Sequence, residues 1–220
     1  MLFTGALPFV ESFVADLDAG LRVHDAQAGL SQCQRYWLSF CLMGLLMTNS
    51  LCWARFERAS LGGYKPSALS WMFHHGQLAW DLMFQVSVSL VLRSYGIEEG
   101  ILSTDDTDHG RSKRTRRIFK AHKQKDKKSG GYINGQTLVV LVLVTEKVTL
   151  PIGVEFYQPD PVQRSWRKED ERLKKAGVAK KKRPPQPVLN PAYPTKAQLA
   201  LRLMERVKRY HPNLRIKAVV

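Results

Sequence analysis

The chain has 220 residues, 44% of them hydrophobic, which suffices for one large domain or two small ones around a buried core and excludes a disordered polymer. Its 34 Lys and Arg against 19 Asp and Glu leave a formal net charge of +15, more than solubility requires, so the leading partner is a polyanion. The three cysteines, Cys33, Cys41 and Cys52, show no CxxC or Cys/His spacing; this excludes a disulfide framework or zinc site and predicts buried thiols in a reducing compartment.

At the N-terminus Glu11, Asp16 and Asp18 interrupt the apolar run that a secretory leader would need, so a cytoplasmic protein is expected. From Leu2 to about Tyr95 apolar residues recur at helical spacing, as in Leu30, Trp37, Leu38, Cys41, Leu42 and Leu45. That pattern predicts a helical domain over residues 1–97, read as a DNA-binding domain. Tyr36 to Ala54 carries no charge and has the length of a membrane span. It also contains Ser39, Thr48, Asn49 and Ser50, which are costly in lipid, so a core helix and no membrane partner are expected. Ser67, just after Pro66, reads as an N-cap, and two helices around Gly76 would form either a helix-turn-helix or a hairpin that only packs. His74 and His75 are adjacent, point about 100° apart on a helix, and so do not share a metal.

The pattern changes after Gly96. Gly100 to Asp105 is a short apolar run ending in acids, and Thr137 to Val144 is a dense β-branched and leucine run that predicts a central strand covered on both faces. Glu146 and Lys147 turn it into a second strand over 148–156, making a hairpin. Residues 158–194 are rich in Pro, Lys and Arg and predict a mobile basic insertion rather than a packed element. Pro194 and Thr195 then open an amphipathic helix with Leu199, Leu201, Leu203, Met204 and Val207 inward, and 216–220 reads as a last strand. The fold class is therefore α+β, with residues 98–220 forming the second domain. An apolar strand at the chain's end predicts that this domain is truncated.

Asp105, Asp106 and Asp108 stand where the first strand of this domain is expected to close. Carboxylates on a rigid strand end are hard oxygen ligands of the kind that magnesium-assisted phosphodiester chemistry uses. Strand alternation sends Asp105 and Asp106 to opposite faces, so at most one of the two points at a shared ion. Arg111, Lys113, Arg114, Arg116, Arg117, Lys120, Lys123, Lys125, Lys127 and Lys128 follow at once, with Asp126 opposing them. Such a run grips a phosphate backbone regardless of base sequence and predicts salt-steep DNA binding. A second basic run, Arg164 to Arg183, adds to it.

The stretches Ser103 to Lys113 (STDDTDHGRSK), His122 to Tyr132 (HKQKDKKSGGY), Asn134 to Gln136 (NGQ) and Phe156 to Pro161 (FYQPDP) resemble DDE transposases of bacterial insertion sequences, over roughly residues 65–220. The resemblance implies a ribonuclease H-like core of three antiparallel strands, a helix and a fourth strand parallel to the first. It implies Mg2+-dependent DNA cleavage and strand transfer, with element ends and target DNA as partners, and allows self-association. It makes Asp105 or Asp106 the first catalytic, metal-binding carboxylate, with Asp105 favoured by its Asp-x-Thr setting. The family's second Asp and its Glu would lie beyond Val220, so the expected protein is an N-terminal transposase fragment that binds DNA and is inactive alone. The alternative is a non-catalytic DNA-binding protein derived from a transposase, a regulator or a remnant.

Overall fold

The structure, a computed structural model, describes residues 5–126 and 129–220. They fall into two compact units, one up to Gly96 and one from Ile97. The described residues contain seven α-helices and one mixed five-stranded sheet, an α+β chain.

The first unit is built from α1 (Pro8–His24), α2 (Gln32–Thr48), α3 (Trp53–Ala59), α4 (Pro66–His75) and α5 (Trp80–Ser94). Pro8 opens α1, where its missing N–H costs nothing, and Val10, Val14, Leu17 and Leu21 recur along one buried stripe. A capping box starts α2, Ser31 accepting from the Gln34 N–H and the Gln34 side chain from the Ser31 N–H. The helix ends where Asn49 turns left-handed at φ 44°, a conformation asparagine tolerates. α3 then leaves at 86° to α2, so the uncharged stretch expected to be one core helix is two. No single helix among the described residues is long and apolar enough to cross a membrane. Gly44 lets α3 close on α2, because a methyl there would stand 2.5 Å from the ring of buried Phe56.

Trp37, Cys41, Phe56, Leu69 and Val86 belong to one buried cluster, and the Trp37 indole N–H donates to the Leu69 carbonyl at 3.2 Å, tying α4 to α2. Of the pair around Gly76, α5 buries Met83, Gln85, Val86, Val88, Leu90 and Leu92. It is therefore a core helix. The cysteines differ from expectation: Cys41 is buried, but Cys33, at the start of α2, and Cys52, at the N-cap of α3, are exposed.

The second unit contains β1 (Glu99–Ser112), β2 (His122–Lys125), β3 (Tyr132–Val144), β4 (Thr149–Tyr157), α6 (Pro161–Lys175), α7 (Lys196–Tyr210) and β5 (Arg215–Val219). β1 and β3 pair antiparallel in the middle of the sheet. The other edge of β3 is shared, with β2 opposite Tyr132 to Gly135 and β4 opposite Thr137 to Val144. β5 runs parallel to β1 on its free side. This order is consistent with a ribonuclease H-like sheet.

α7 begins with its own capping box, Thr195 with Gln198, and lays Leu199, Leu203 and Val207 against the sheet, where Val139, Leu141, Leu143 and Ile152 are buried. Gly153 makes the seat: an added Cβ would meet Leu203 Cδ2 at 3.0 Å. Leu201, expected inward, is 59% exposed, because two residues along a helix turn a side chain about 200° away from the stripe. Likewise β3 is fully covered on one face and only partly on the other. Val139, Leu141 and Leu143 are buried under α7, while Leu138, Val140 and Val142 on the other face are half-buried.

The basic segment expected to be a mobile loop contains a packed element. Asp160 caps α6 by accepting from the Val162 N–H at 2.8 Å, and Pro161 fills the first position. The Trp166 indole N–H donates to the Pro184 carbonyl at 2.9 Å, the Gln163 amide to the Pro187 carbonyl at 2.6 Å, and Arg183 pairs with Asp170 at 2.9 Å. Proline cannot donate a hydrogen bond but its carbonyl accepts, so the proline-rich return is strapped along the helix.

Candidate nucleic-acid interface

β1 does not close at the acids. Asp105 and Asp106 lie mid-strand opposite Val140 and Val139, and pairing with β3 continues through Asp108 and Gly110 to Ser112. Asp and Gly are poor strand formers, but the backbone ladder with β3 carries them regardless of side chain. Alternation along the strand puts Asp106 and Asp108 on the α7 side with buried Leu102, and Asp105 on the opposite side.

The three carboxylates have different surroundings. Asp106 accepts from the Lys196 ammonium at 2.5 Å, at the first turn of α7. Both side chains are about 40% exposed, so the pair adds less than ~1 kcal/mol to stability. The Lys196 ammonium also lies 5.4 Å from the centre of the Tyr157 ring. Asp108 accepts from the Thr137 hydroxyl at 2.6 Å and from the Gln124 amide at 3.2 Å, and Thr137 and Gln124 are buried. The same hydroxyl lies 3.1 Å from His122 Nε2, whose ring Nδ1 stands 3.0 Å from the Lys120 carbonyl. Asp105 is exposed, and its carboxylate accepts the backbone N–H of Asp106 at 2.7 Å.

β5 comes close to these acids. The Val220 N–H donates to the Leu102 carbonyl at 2.8 Å, and the Thr104 N–H donates to the Val220 carbonyl at 2.9 Å. The parallel register thus carries β5 to within one residue of Asp105. Among the described residues no three His, Cys, Asp or Glu side chains gather to hold a metal ion. Because Asp105 and Asp106 face opposite sides of the sheet, they do not chelate one ion together.

Beyond the acids, Arg111, Lys113, Arg114, Arg116 and Arg117 occupy the end of β1 and the loop after it, and Lys123 and Lys125 lie on β2. All of these are exposed, and none is paired with an Asp or Glu among the described residues. The loop is pinned to β3 at two points: the Asn134 amide donates to the Lys113 carbonyl at 2.9 Å, and the Gln136 amide to the Phe119 carbonyl at 2.7 Å. The Lys123 ammonium rests 4.4 Å from the centre of the Tyr132 ring. Lys120 is set apart from the others. It is half-buried and its ammonium donates to the Phe156 carbonyl at 2.8 Å. Lys127 and Lys128 lie outside the described residues.

Sequence reasoning did not find the His122–Thr137–Asp108–Gln124 network or the Lys196 partner of Asp106. The i, i+2 spacing of His122 and Gln124 would have placed both on one face had β2 been read as a strand. Its four residues, HKQK, carry no apolar signal. Nothing local links Lys196 to a carboxylate 90 positions earlier.

A family model described as DDE superfamily endonuclease matches residues 27–220 of the chain. No curated protein and no solved structure matches it.

Proposed function

The chain belongs to the DDE superfamily of endonucleases, and from that premise we propose that it is the DNA-gripping part of a transposase. In this reading, the cations of the β1–β2 loop and of β2 hold duplex DNA by its phosphates beside the acids of β1. The observation that carries the reading is the set of exposed arginines and lysines from Arg111 to Arg117 and at Lys123 and Lys125, none paired with an Asp or Glu among the described residues, on a loop pinned to β3 and on β2, beside the one strand, β1, that bears Asp105, Asp106 and Asp108. Each phosphate neutralised releases counterions, so binding is strong at low salt, falls steeply as salt rises, and is indifferent to base sequence.

Asp105 is our choice for the carboxylate that serves strand cleavage and joining. All three are exposed, but Asp106 is engaged by Lys196 and Asp108 by Thr137 and Gln124, whereas Asp105 accepts a backbone N–H, that of Asp106, and lies one residue past the level that β5 reaches. The ion implied by the resemblance is Mg2+, which takes near-octahedral oxygen coordination from more than one donor. The described residues do not by themselves form such a site.

The test is an electrophoretic shift of unrelated duplexes by the 220-residue chain, together with incubation of supercoiled plasmid with Mg2+. The expected result is a shift equal for all sequences and lost with salt, without Mg2+-dependent nicking. Absence of any shift at low salt would refute the assignment of the cationic loop. Nicking that disappears in Asp105→Asn would show that copies of this chain complete the site between them.

A further inference from the structure

Between the sheet, α6 and the segment leading into α7 lies a cavity of about 370 Å³, within the range of small-ligand pockets. Its lining combines three kinds of group. Lys123, Lys125, Arg164, Arg167 and Lys196 supply positive charge, Tyr157 and Tyr193 supply flat aromatic rings, and Gln163, Gln186 and Asn190 supply amides.

The two carboxylates in the lining are both already engaged. Asp108 takes the Thr137 hydroxyl and the Gln124 amide, and Asp160 caps α6. Both carboxylates keep their charge and Lys196 is paired with Asp106, so the excess positive charge that an entering anion meets is carried by Lys123, Lys125, Arg164 and Arg167. Two helices of 15 residues start on the cavity, α6 after Asp160 and α7 after Thr195, and both add a positive dipole end. Their leading N–H groups are taken by their own caps, at 2.8 Å to Asp160 and 3.2 Å to Thr195, so side-chain cations are left to hold the anion. The walls are braced: the Arg164 guanidinium donates to the Lys123 carbonyl at 2.8 Å, and Gln163 is bonded to the Pro187 carbonyl. The His122 ring stands edge-on to Tyr157 at 6.1 Å.

Cations for a phosphate, rings for the face of a base and amides for its edge together match the chemistry of a nucleotide. A cavity of this size admits one nucleotide and not a base-paired duplex. Lys123 and Lys125 belong both to its rim and to the cationic strand β2, so a DNA strand held along that edge leads to its mouth. We propose that the cavity binds a single unpaired nucleotide of a gripped DNA strand. Its phosphate lies among Arg164, Arg167 and Lys196, and its base lies against Tyr157 or Tyr193. This rests on the DNA reading above.

The experiment uses the 220-residue chain and three probes: a blunt duplex, the same duplex with one unpaired 2-aminopurine nucleotide at an end, and free 2-aminopurine deoxyriboside monophosphate. Affinity is read by anisotropy and stacking by quenching of the aminopurine. The overhang duplex is expected to bind about tenfold more tightly than the blunt one, near the lower end of what one base–aromatic stack contributes, with its emission quenched. The double variant Tyr157→Ala, Tyr193→Ala should remove the preference and the quenching while blunt-duplex affinity stays within about twofold; circular dichroism checks that the variant folds. Equal affinity for the two duplexes without quenching overturns the pocket. A free mononucleotide bound as tightly as the overhang overturns its assignment to a DNA strand. Failure to bind either duplex overturns instead the DNA reading beneath it.

Discussion

Replacing Arg114, Arg116 and Arg117 together by glutamine removes three cations that are exposed and without an acidic partner among the described residues. If each contacts one phosphate, the slope of log affinity against log salt becomes shallower by about 0.9 per contact, or about 2.7 in all. Between about 50 and 200 mM salt, the loss of affinity of the triple variant is then about 40-fold smaller than that of the parent chain. The assay is a fluorescence-anisotropy titration of one duplex at several salt concentrations, repeated with an unrelated sequence. Lys120→Ala is the internal control. Its ammonium is held by the Phe156 carbonyl, so its removal should leave the slope unchanged. A triple variant with the parent's slope would refute the assignment of the loop to the phosphate backbone, and a Lys120 variant whose slope falls by a full contact would refute the reading that the Phe156 carbonyl holds that ammonium away from DNA.

Three other outcomes follow from packing and ionisation. Leu203, fully buried between α7 and the sheet, should cost about 3–5 kcal/mol when cut to alanine, read as a lower urea midpoint; a loss below ~1 kcal/mol would mean that α7 is not seated as described. Gly44→Ala forces a methyl against the Phe56 ring and should cost about 1–3 kcal/mol while leaving the salt slope of DNA binding untouched. Among the thiols, backbone N–H groups of Arg55 and Ala54 pull Cys52 below the ordinary value, while burial pushes Cys41 up to about 12. Iodoacetamide at mildly alkaline pH should therefore label Cys52 in the native protein and spare Cys41, as read by peptide mass spectrometry. The unfolded chain ionises Cys41 at an ordinary thiol value and the folded chain does not, so this residue's contribution to stability falls as pH rises from about 8.5 towards 12.

Elements that bury a regular apolar stripe were legible in the sequence. The first helices, α7 with Leu199, Leu203 and Val207, and the β3–β4 hairpin all declare themselves because burial imposes a period of 3.6 or 2 on side chains. What was not legible is held by other forces. The polar half of β1 and the whole of β2 exist because backbone groups pair with β3, which leaves no mark on side-chain pattern. α6 has Gln163 as its buried residue and is held by bonds to proline carbonyls some 20 positions away, so composition alone made it resemble a loop. The α2–α3 break turns on one left-handed asparagine. At the acids, strand alternation separated Asp105 from Asp106. The partners that distinguish them, Lys196 for one carboxylate and Thr137 and Gln124 for Asp108, come from distant segments that only the folded sheet brings near.

The missing side chain at Gly153 reaches further than the contact it permits. An α-helix is a stiff rod, and Leu203, which rests on that glycine, sits about 10 Å along α7 from Lys196 at 1.5 Å per residue. Gly153 therefore works as a fulcrum: raising the rod there would swing its leading end, and with it the ammonium that reaches Asp106. The approach of Lys196 to Asp106 thus rests in part on the bare backbone of β4 beneath α7.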